Sequence, residues 1–496
     1  MSTPGPLPEL LDSAASRFPD AAAVRDADGS LTYSELARAS RTAADWLWGL
    51  GVRPGDRVVL HLAGGRAFAA LLYGVLRLGA VAVPVSPRTG AFHLSWMIED
   101  AGPALVVTAS ADLPTGGVPV ADPAGLPPPG FRCTGGPSPA VAVAPTDIAL
   151  LLYTSGSTSM PRAVVCPHER VRFAVSAIAA RLGYTRDDVV LSRVPVSFDY
   201  GLYQLFLCAE AGASLVLRPD LVEAAVLREA RTAGATVLPI VPSLAEILLR
   251  LARLDSRPTA VRLLTNTGAA LTERLADGLR RIFPGASVVP MYGMTECKRI
   301  TVAEPDEDVR HPGTAGRALP GTEVLVVDAD GVVLGPDVVG EIWVRGPHVM
   351  AGYWRAPEAT AARFTRPGGA DRMLRTGDFG YLDDGGRLYF VGRRDDIFKR
   401  RGVRMSAQEV EAAVLDVPGV SAAAVLPPQP GGGLTAWVVA DLAPAEVLAA
   451  VARRVEPAKV PDRCVVLPAL PTTVNGKVDK HALRQLDGQS IGQAVK

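Results

Sequence analysis

The stretch Leu150-Leu-Leu-Tyr153-Thr154-Ser155-Gly156-Ser157-Thr158-Ser159-Met160-Pro161-Arg162-Ala163-Val164-Val165 decides how the rest of the chain is read. Residues 148–153 are apolar and predict a buried strand. A loop dense in hydroxyls and glycine follows, and then a second short apolar run. Backbone N–H groups around Gly156, with the hydroxyls of Thr154, Ser155, Ser157 and Thr158, can donate to anionic oxygens, and Arg162 adds a fixed positive charge. Those are the parts of a phosphate cradle. The common Gly-x4-Gly-Lys-Ser/Thr pattern is absent, and Ser, Thr, Gly and Pro also fill ordinary turns. The loop alone therefore leaves two readings open, nucleotide binding and a plain polar turn.

On the N-terminal side, residues 7–18, 34–50 and 67–78 read as helices and 57–62, 80–85 and 105–108 as strands. Beyond the loop, strands are predicted at 188–194, 214–218, 235–240, 261–266 and 287–291. Such alternation predicts an α/β fold, with a large N-terminal domain of doubly wound, largely parallel sheets. From Gly321 onward short strands alternate with turns, which predicts a small antiparallel subdomain. Charge density rises at Gly392-Arg393-Arg394-Asp395-Asp396, after which a smaller, mobile α+β domain is expected. The expected division is a core domain over 1–394 and a C-terminal lid domain over 395–496.

Composition narrows the function classes. A chain of 496 residues can hold more than one core, and 48% hydrophobic with 21% charged residues is the balance of a soluble globular protein. Zero formal net charge gives no basic face to explain, so no nucleic-acid partner is expected. Cys133, Cys166, Cys208, Cys297 and Cys464 form no CxxC pair and no zinc spacing, as in reduced thiols of a cytoplasmic protein. The N-terminus lacks a signal-peptide pattern, and the most apolar stretch, 67–85, is broken by Arg77 and Pro84, so no membrane span is expected. Lysine occurs only six times (Lys298, Lys399, Lys459, Lys477, Lys480 and Lys496), against 45 arginines.

The opening stretch resembles the Tyr-Thr-Ser-Gly-Ser/Thr-Thr-Gly-x-Pro-Lys-Gly signature of the adenylate-forming superfamily, which includes acyl-CoA synthetases, luciferase and nonribosomal peptide synthetase adenylation domains. Ser159, Arg162 and Ala163 stand where that signature has Gly, Lys and Gly. Tyr292-Gly-Met-Thr295-Glu296, Arg375-Thr-Gly-Asp378, Gly392-Arg393-Arg-Asp395 and Asn475-Gly476-Lys477 resemble further family motifs in the same order, so the resemblance runs from Leu31 to Leu483. It implies ATP and Mg2+ as cofactors. By the same resemblance Tyr292 stacks on adenine beside Gly268 and Ala269, Thr295 reaches the α-phosphate, and Glu296 helps to hold Mg2+. Asp378 and Arg393 read the ribose, Lys477 binds the attacking carboxylate and the α-phosphate, and Asp395 is the hinge. An ammonium at Lys477 is not interchangeable with the guanidinium this chain otherwise prefers.

Val196-Ser-Phe198-Asp199-Tyr200-Gly-Leu-Tyr203 bears on the acid activated. In amino-acid-activating relatives a Phe-Asp pair here sets the Asp against the substrate ammonium. A buried Asp199 would need such a cationic partner; a helix-capping Asp and a shifted acyl-CoA synthetase pattern are the other readings. Alignment by resemblance puts Tyr200, Tyr203, Pro239, Thr265, Thr267, Met291, Arg299 and Ile300 around the pocket; Arg299, if inward, is placed to pair a second carboxylate or another acceptor, and if outward is a surface charge beside a small, mainly apolar pocket. The expected function is an ATP-dependent, AMP-forming ligase that activates an amino acid or amino-acid-like acid. No carrier domain follows the Lys477 segment, so a free-standing enzyme with an external acceptor is expected: a carrier-protein thiol first, then CoA or an amine. An acyl- or aryl-CoA ligase, an amide-forming ligase and a catalytically weakened nucleotide binder are the alternatives.

Overall fold

The computed structural model describes residues 5–110, 113–128, 138–154, 160–218, 221–365, 372–393, 397–400, 403–428, 433–473, 478–480 and 482–486. Strands Ser287–Tyr292, Leu263–Asn266, Val237–Ile240, Val189–Ser192, Ser214–Leu217 and Ala22–Asp26 lie side by side and all parallel. Their side chains alternate between two cores, as a strand's period of two requires. Val237, Leu263 and Val289 join one apolar cluster, while Leu238, Leu264 and Val288 join another. Both faces are covered by helices, which is why these strands are nearly continuous apolar runs. The doubly wound expectation is met.

A second sheet carries Val81–Val85, Arg57–His61, Leu105–Thr108 and Val120–Ala121 in parallel, with Ile148–Thr154 beside Val81–Val85. Ile148–Thr154 then pairs antiparallel with Arg162–Pro167, Thr154 opposite Arg162. The hydroxyl-rich stretch is thus the connection of a hairpin, and Ser155, Gly156, Ser157, Thr158 and Ser159 lie outside the described residues.

The antiparallel strands of the C-terminal half continue the first sheet. Thr301–Val302 pairs antiparallel with Ser287–Tyr292, followed by Thr314–Ala318, Arg387–Arg393, Met373–Leu382, Gly340–Arg345 and Glu323–Val327. The antiparallel subdomain read from sequence is therefore an arm of the 14-stranded sheet. Strand Ser287–Tyr292 is the seam, parallel to one neighbour and antiparallel to the other.

Farther on, helix Ala407–Leu415 and strands Val420–Leu426, Thr435–Ala440 and Arg463–Val466 share an apolar cluster of their own, built on Met405, Val410, Val425, Val438 and Val451. Among the described residues no helix is long and apolar enough to cross a membrane.

Helix Asp199–Ala211 is buried from Asp199 through Ala209. Its first turn runs so close to the preceding segment that a Cβ on Gly201 would meet the Pro195 carbonyl oxygen at 2.3 Å and that of Val194 at 2.4 Å. Gly201→Ala must push the helix start outward, at a cost of about 1–3 kcal/mol. Thermal melting should show a lower midpoint for Gly201→Ala and none for Gly285→Ala, where nothing lies within 4 Å of an added Cβ. Equal melting of the two variants would overturn this packing account.

Candidate active site

In open α/β sheets, ligands bind at the carboxyl ends of the strands. Here the seam strand Ser287–Tyr292 ends in a tight turn over residues 293–300. Lys298 N–H donates to the Met294 carbonyl at 2.6 Å, and Ile300 N–H closes the turn on the Tyr292 carbonyl at 2.8 Å. Lys298 takes a left-handed φ of 69°, uncommon for a residue with a Cβ. Gly293 passes so near it that a Cβ there would sit 2.0 Å from the Lys298 carbonyl oxygen. The turn points Glu296, Cys297, Lys298, Arg299 and Ile300 into the protein, and all five are buried.

On one side, the Tyr292 hydroxyl donates to Asp378 Oδ2 at 2.6 Å, and Arg393 Nε stands 3.3 Å from Asp378 Oδ1. The Tyr292 ring lies 5.5 Å from that of Phe390. Asp378 follows Gly377, whose φ is 71°, and its backbone N–H is held by Thr376 Oγ1 at 3.0 Å. Burial pushes the Asp378 carboxyl above the usual carboxylate value, although Arg393 and Tyr292 pull it down. Each carboxylate oxygen retains acceptor capacity beyond its one bond. Gly268, at a φ of 88°, and Ala269 are exposed at the end of the parallel strand Leu263–Asn266.

In the middle, Glu296 Oε1 accepts from the Tyr353 hydroxyl at 2.5 Å and from Arg363 Nη1 at 3.2 Å. Both bonds fall on Oε1; among the described residues nothing hydrogen-bonds Oε2. No group of three His, Cys, Asp or Glu side chains among the described residues could hold a metal alone. A hard cation at Glu296 must therefore complete its shell with other oxygens, as Mg2+ does on a polyphosphate with one or two carboxylates. The residues fit that use. Thr295, half-buried, lies beside Glu296, and its carbonyl accepts from Lys298 Nζ at 2.9 Å. The hairpin stretch reaches the same place: Thr154 Oγ1 donates to the Arg162 carbonyl at 3.4 Å, and the Arg162 guanidinium lies 6.0 Å from the Tyr353 ring centre.

On the far side, Arg299 does turn inward. Its Nη1 stands 3.2 Å from Asp199 Oδ2, both side chains almost fully buried, with the guanidinium 4.8 Å from the Tyr200 ring centre. Asp199 begins its helix, with Phe198 at the cap position, so its charge also meets the positive end of the helix dipole. The helix-capping reading is replaced by an ion pair. The Tyr200 hydroxyl is tied to the Thr265 carbonyl at 2.6 Å, and Pro239, Thr265 and Val289 are neighbours across three parallel strands. Thr267, Met291 and Ile300 are buried close by in sequence and register. The Tyr203 hydroxyl is buried and has no hydrogen-bond partner among the described residues.

Several groups escaped the sequence reading. Lys298 is fully buried, its Nζ 3.4 Å from Cys166 Sγ and 5.6 Å from the Tyr203 ring centre. Its rarity as one of six lysines was a usable signal. Tyr353 and Arg363 hold Glu296 and stand among none of the candidate residues named from the sequence. Lys477 and Asp395 lie outside the described residues.

The carboxyl edge of this mixed sheet thus gathers the tight turn, Glu296 and an aspartate with spare acceptor capacity. The family model for AMP-binding enzymes matches residues 11–354, and that for their C-terminal domain matches residues 409–477. The chain belongs to the AMP-binding enzyme family and is an AMP-forming ligase, activating a carboxylic acid as its acyl-adenylate. It is 36% identical to the salicyl-AMP ligase / salicyl-S-ArCP synthetase of Mycobacterium tuberculosis over 97% of this chain and 90% of that one. The structure of VinN with L-aspartate aligns over 78% of this chain and 98% of VinN, with 41% identity and a TM-score of 0.71. The ATP- and magnesium-bound o-succinylbenzoate coenzyme A synthetase of Bacillus subtilis aligns over 96% of this chain and 99% of its own, with 27% identity and a TM-score of 0.84.

Removing one partner of a buried pair leaves the other charge unpaired, which costs about 3–5 kcal/mol. Arg299→Met should lower the thermal midpoint, and adding Asp199→Leu should restore most of the loss. Equal melting of Arg299→Met and the parent would mean that the pair is not buried in solution.

Proposed function

We propose that this enzyme uses ATP and Mg2+ to adenylate an amino acid that bears a second carboxylate, of the aspartate kind, and hands the acyl group to an external carrier-protein thiol. The observation that carries this reading is the buried Asp199–Arg299 pair, 3.2 Å apart beside Tyr200. A substrate with both an ammonium and a second carboxylate offers each member a replacement partner. Lys298, buried and next to Arg299 in the chain, adds a second cation to this part of the protein. The binding of L-aspartate by VinN supports the same substrate class. The carrier acceptor is supported by the name of the salicyl relative, which joins an AMP ligase to a salicyl-S-ArCP synthetase. The reading places the enzyme's work in the cytoplasm.

The remaining roles follow on this reading. The substrate carboxylate attacks the α-phosphorus of ATP, the bond to the bridging oxygen breaks, and pyrophosphate leaves. Tyr292 lies against the adenine, flanked by Gly268 and Ala269, while Asp378 and Arg393 hold the ribose hydroxyls. Thr295 donates to the α-phosphate. Thr154, Ser155, Gly156, Ser157, Thr158 and Arg162 receive the outer phosphates, for which arginine supplies the needed charge. Glu296 would hold the cation, which supplies neutralisation of the polyphosphate charge when bound. Lys477 balances the charge that develops at the α-phosphorus. In the second half-reaction the thiol attacks the acyl carbon and AMP leaves. The boundary between core and lid falls at 394/395, with Asp395 as hinge, in keeping with the separate apolar cluster that follows.

Pyrophosphate exchange across acids tests the substrate. Aspartate-like acids should drive exchange, and Arg299→Met should lower kcat/KM for them on the order of 100-fold, the loss of a charged hydrogen-bond partner. Lys477→Ala should cut exchange with every acid. Strong exchange with aryl or fatty acids that survives Asp199→Ala would overturn the substrate assignment.

The nucleoside end has its own test. Protonated Asp378 loses acceptor capacity, and burial raises its pKa above the ordinary 3.8. AMP affinity should therefore be full at neutral pH and fall on acidification, starting above the ordinary aspartate range, with Asp378→Asn weak and flat throughout. A parent profile as flat as that of Asp378→Asn would remove Asp378 from the site.

A further inference from the structure

Arg363 closes helix Pro357–Arg363 and precedes the short strand Phe364–Thr365, which pairs with Met373–Leu382. Its guanidinium spends its donors on two different parts of the site. Nη1 reaches Glu296 Oε1 at 3.2 Å and the Tyr353 hydroxyl at 3.1 Å. Nε donates to the Arg375 carbonyl at 3.1 Å, and Nη2 donates to the Thr376 carbonyl. Those two carbonyls immediately precede Gly377 and Asp378. One rigid, planar fork thus joins the carboxylate that faces the cation to the strand that presents the ribose acceptor.

We infer that Arg363 is a positioning residue that couples cation binding at Glu296 to nucleoside binding at Asp378. This rests on the proposed roles of Glu296 and Asp378. Two physical points carry it. First, Glu296 is only 4% exposed, and a carboxylate so buried needs a permanent counter-charge. Arg363 supplies it through Oε1 and leaves Oε2 for the cation. Second, the two gripped carbonyls lead directly into Gly377, whose left-handed φ of 71° turns the chain into Asp378, so the grip on them is one of the contacts that set where Asp378 sits. A planar guanidinium can grip both while it pairs with Glu296; an ammonium cannot. The Tyr353 hydroxyl meets Glu296 Oε1 and the same Arg363 Nη1, and it bonds neither of the two carbonyls before Gly377, so it bears on the Glu296 end.

Calorimetric titration of the full chain separates the two ends. The probes are AMP without metal, and ATP with and without Mg2+. Arg363→Met should weaken metal-free AMP binding on the order of tenfold and shrink the gain in ATP affinity from Mg2+ by a similar factor. Tyr353→Phe should leave AMP binding at the parent level and reduce only the Mg2+ gain. Arg363→Lys keeps the counter-charge but not both carbonyls, so it should recover the Mg2+ gain and not AMP binding. Thermal melting of each variant guards against unfolding, and the lysine variant carries the test if Arg363→Met does not fold. An Arg363→Met or Arg363→Lys protein that is folded and binds AMP like the parent overturns the coupling. A parent that binds AMP but shows no Mg2+ gain overturns the Glu296 assignment, and the coupling with it. A parent that binds no AMP overturns the reading of the whole nucleotide site.

Discussion

The site hangs on one backbone constraint, the close passage of Gly293 beneath the Lys298 carbonyl. A side chain at 293 would collide with that oxygen, and Lys298 must take the left-handed conformation to close the turn on Tyr292. These demands fix the direction of every side chain between them. Tyr292 goes toward Asp378, Glu296 toward Tyr353 and Arg363, and Arg299 toward Asp199. The turn can do this because it grows from the seam strand, where the sheet changes from parallel to antiparallel. The parallel half brings Asp199, Tyr200 and Thr265 to one side of the seam, and the antiparallel half brings Asp378 and Arg393 to the other.

Three carboxylates in the site are buried, and each is matched by an arginine: Asp199 by Arg299, Glu296 by Arg363, Asp378 by Arg393. Such pairs contribute little net stability: desolvation takes back most of the Coulombic gain where both partners are buried, as at Arg299, and solvent screens the pair where the arginine is exposed, as at Arg393. Three of them at the edge of one sheet are therefore poorly explained as stabilisers of the fold. They are better explained as charges held ready at the places where a ligand's own charges arrive. Guanidinium suits the task, since it keeps its charge when buried and reaches carbonyls as well as carboxylates. Lys298 is the exception, packed against Thr295, Cys166 and Tyr203 with no carboxylate in its ion-pair range among the described residues.

The parallel strands were legible in the sequence because burial on both faces leaves long apolar runs, and the turn residues between them are distinctive. The motif positions were legible because each pairs a strand end with a specific polar residue. The pairings among those positions were not. Whether Arg299 faces in or out depends on the φ of Lys298, which no residue preference fixes. The antiparallel arm reads locally as a separate unit; only the pairing of Thr301–Val302 with the seam strand makes it part of the larger sheet. Arg363 lies far along the chain from Glu296, in a helix whose sequence has no unusual feature, so nothing local betrays the contact.

The Asp199–Arg299 pair also sets the terms on which a substrate enters, on the proposed reading. A ligand that brings only an ammonium takes Asp199 and strands Arg299 in a buried place. One that brings only a carboxylate does the reverse to Asp199. Either exchange trades one satisfied pair for another and leaves a charge uncompensated, which is the expensive outcome in a low-dielectric interior. A ligand with both groups divides the pair into two new pairs and leaves nothing unpaired. Selection then comes less from attraction than from the penalty on ligands that supply one charge alone. The same logic explains why Asp199 and Arg299 pair with each other: each is the other's substitute for a substrate charge.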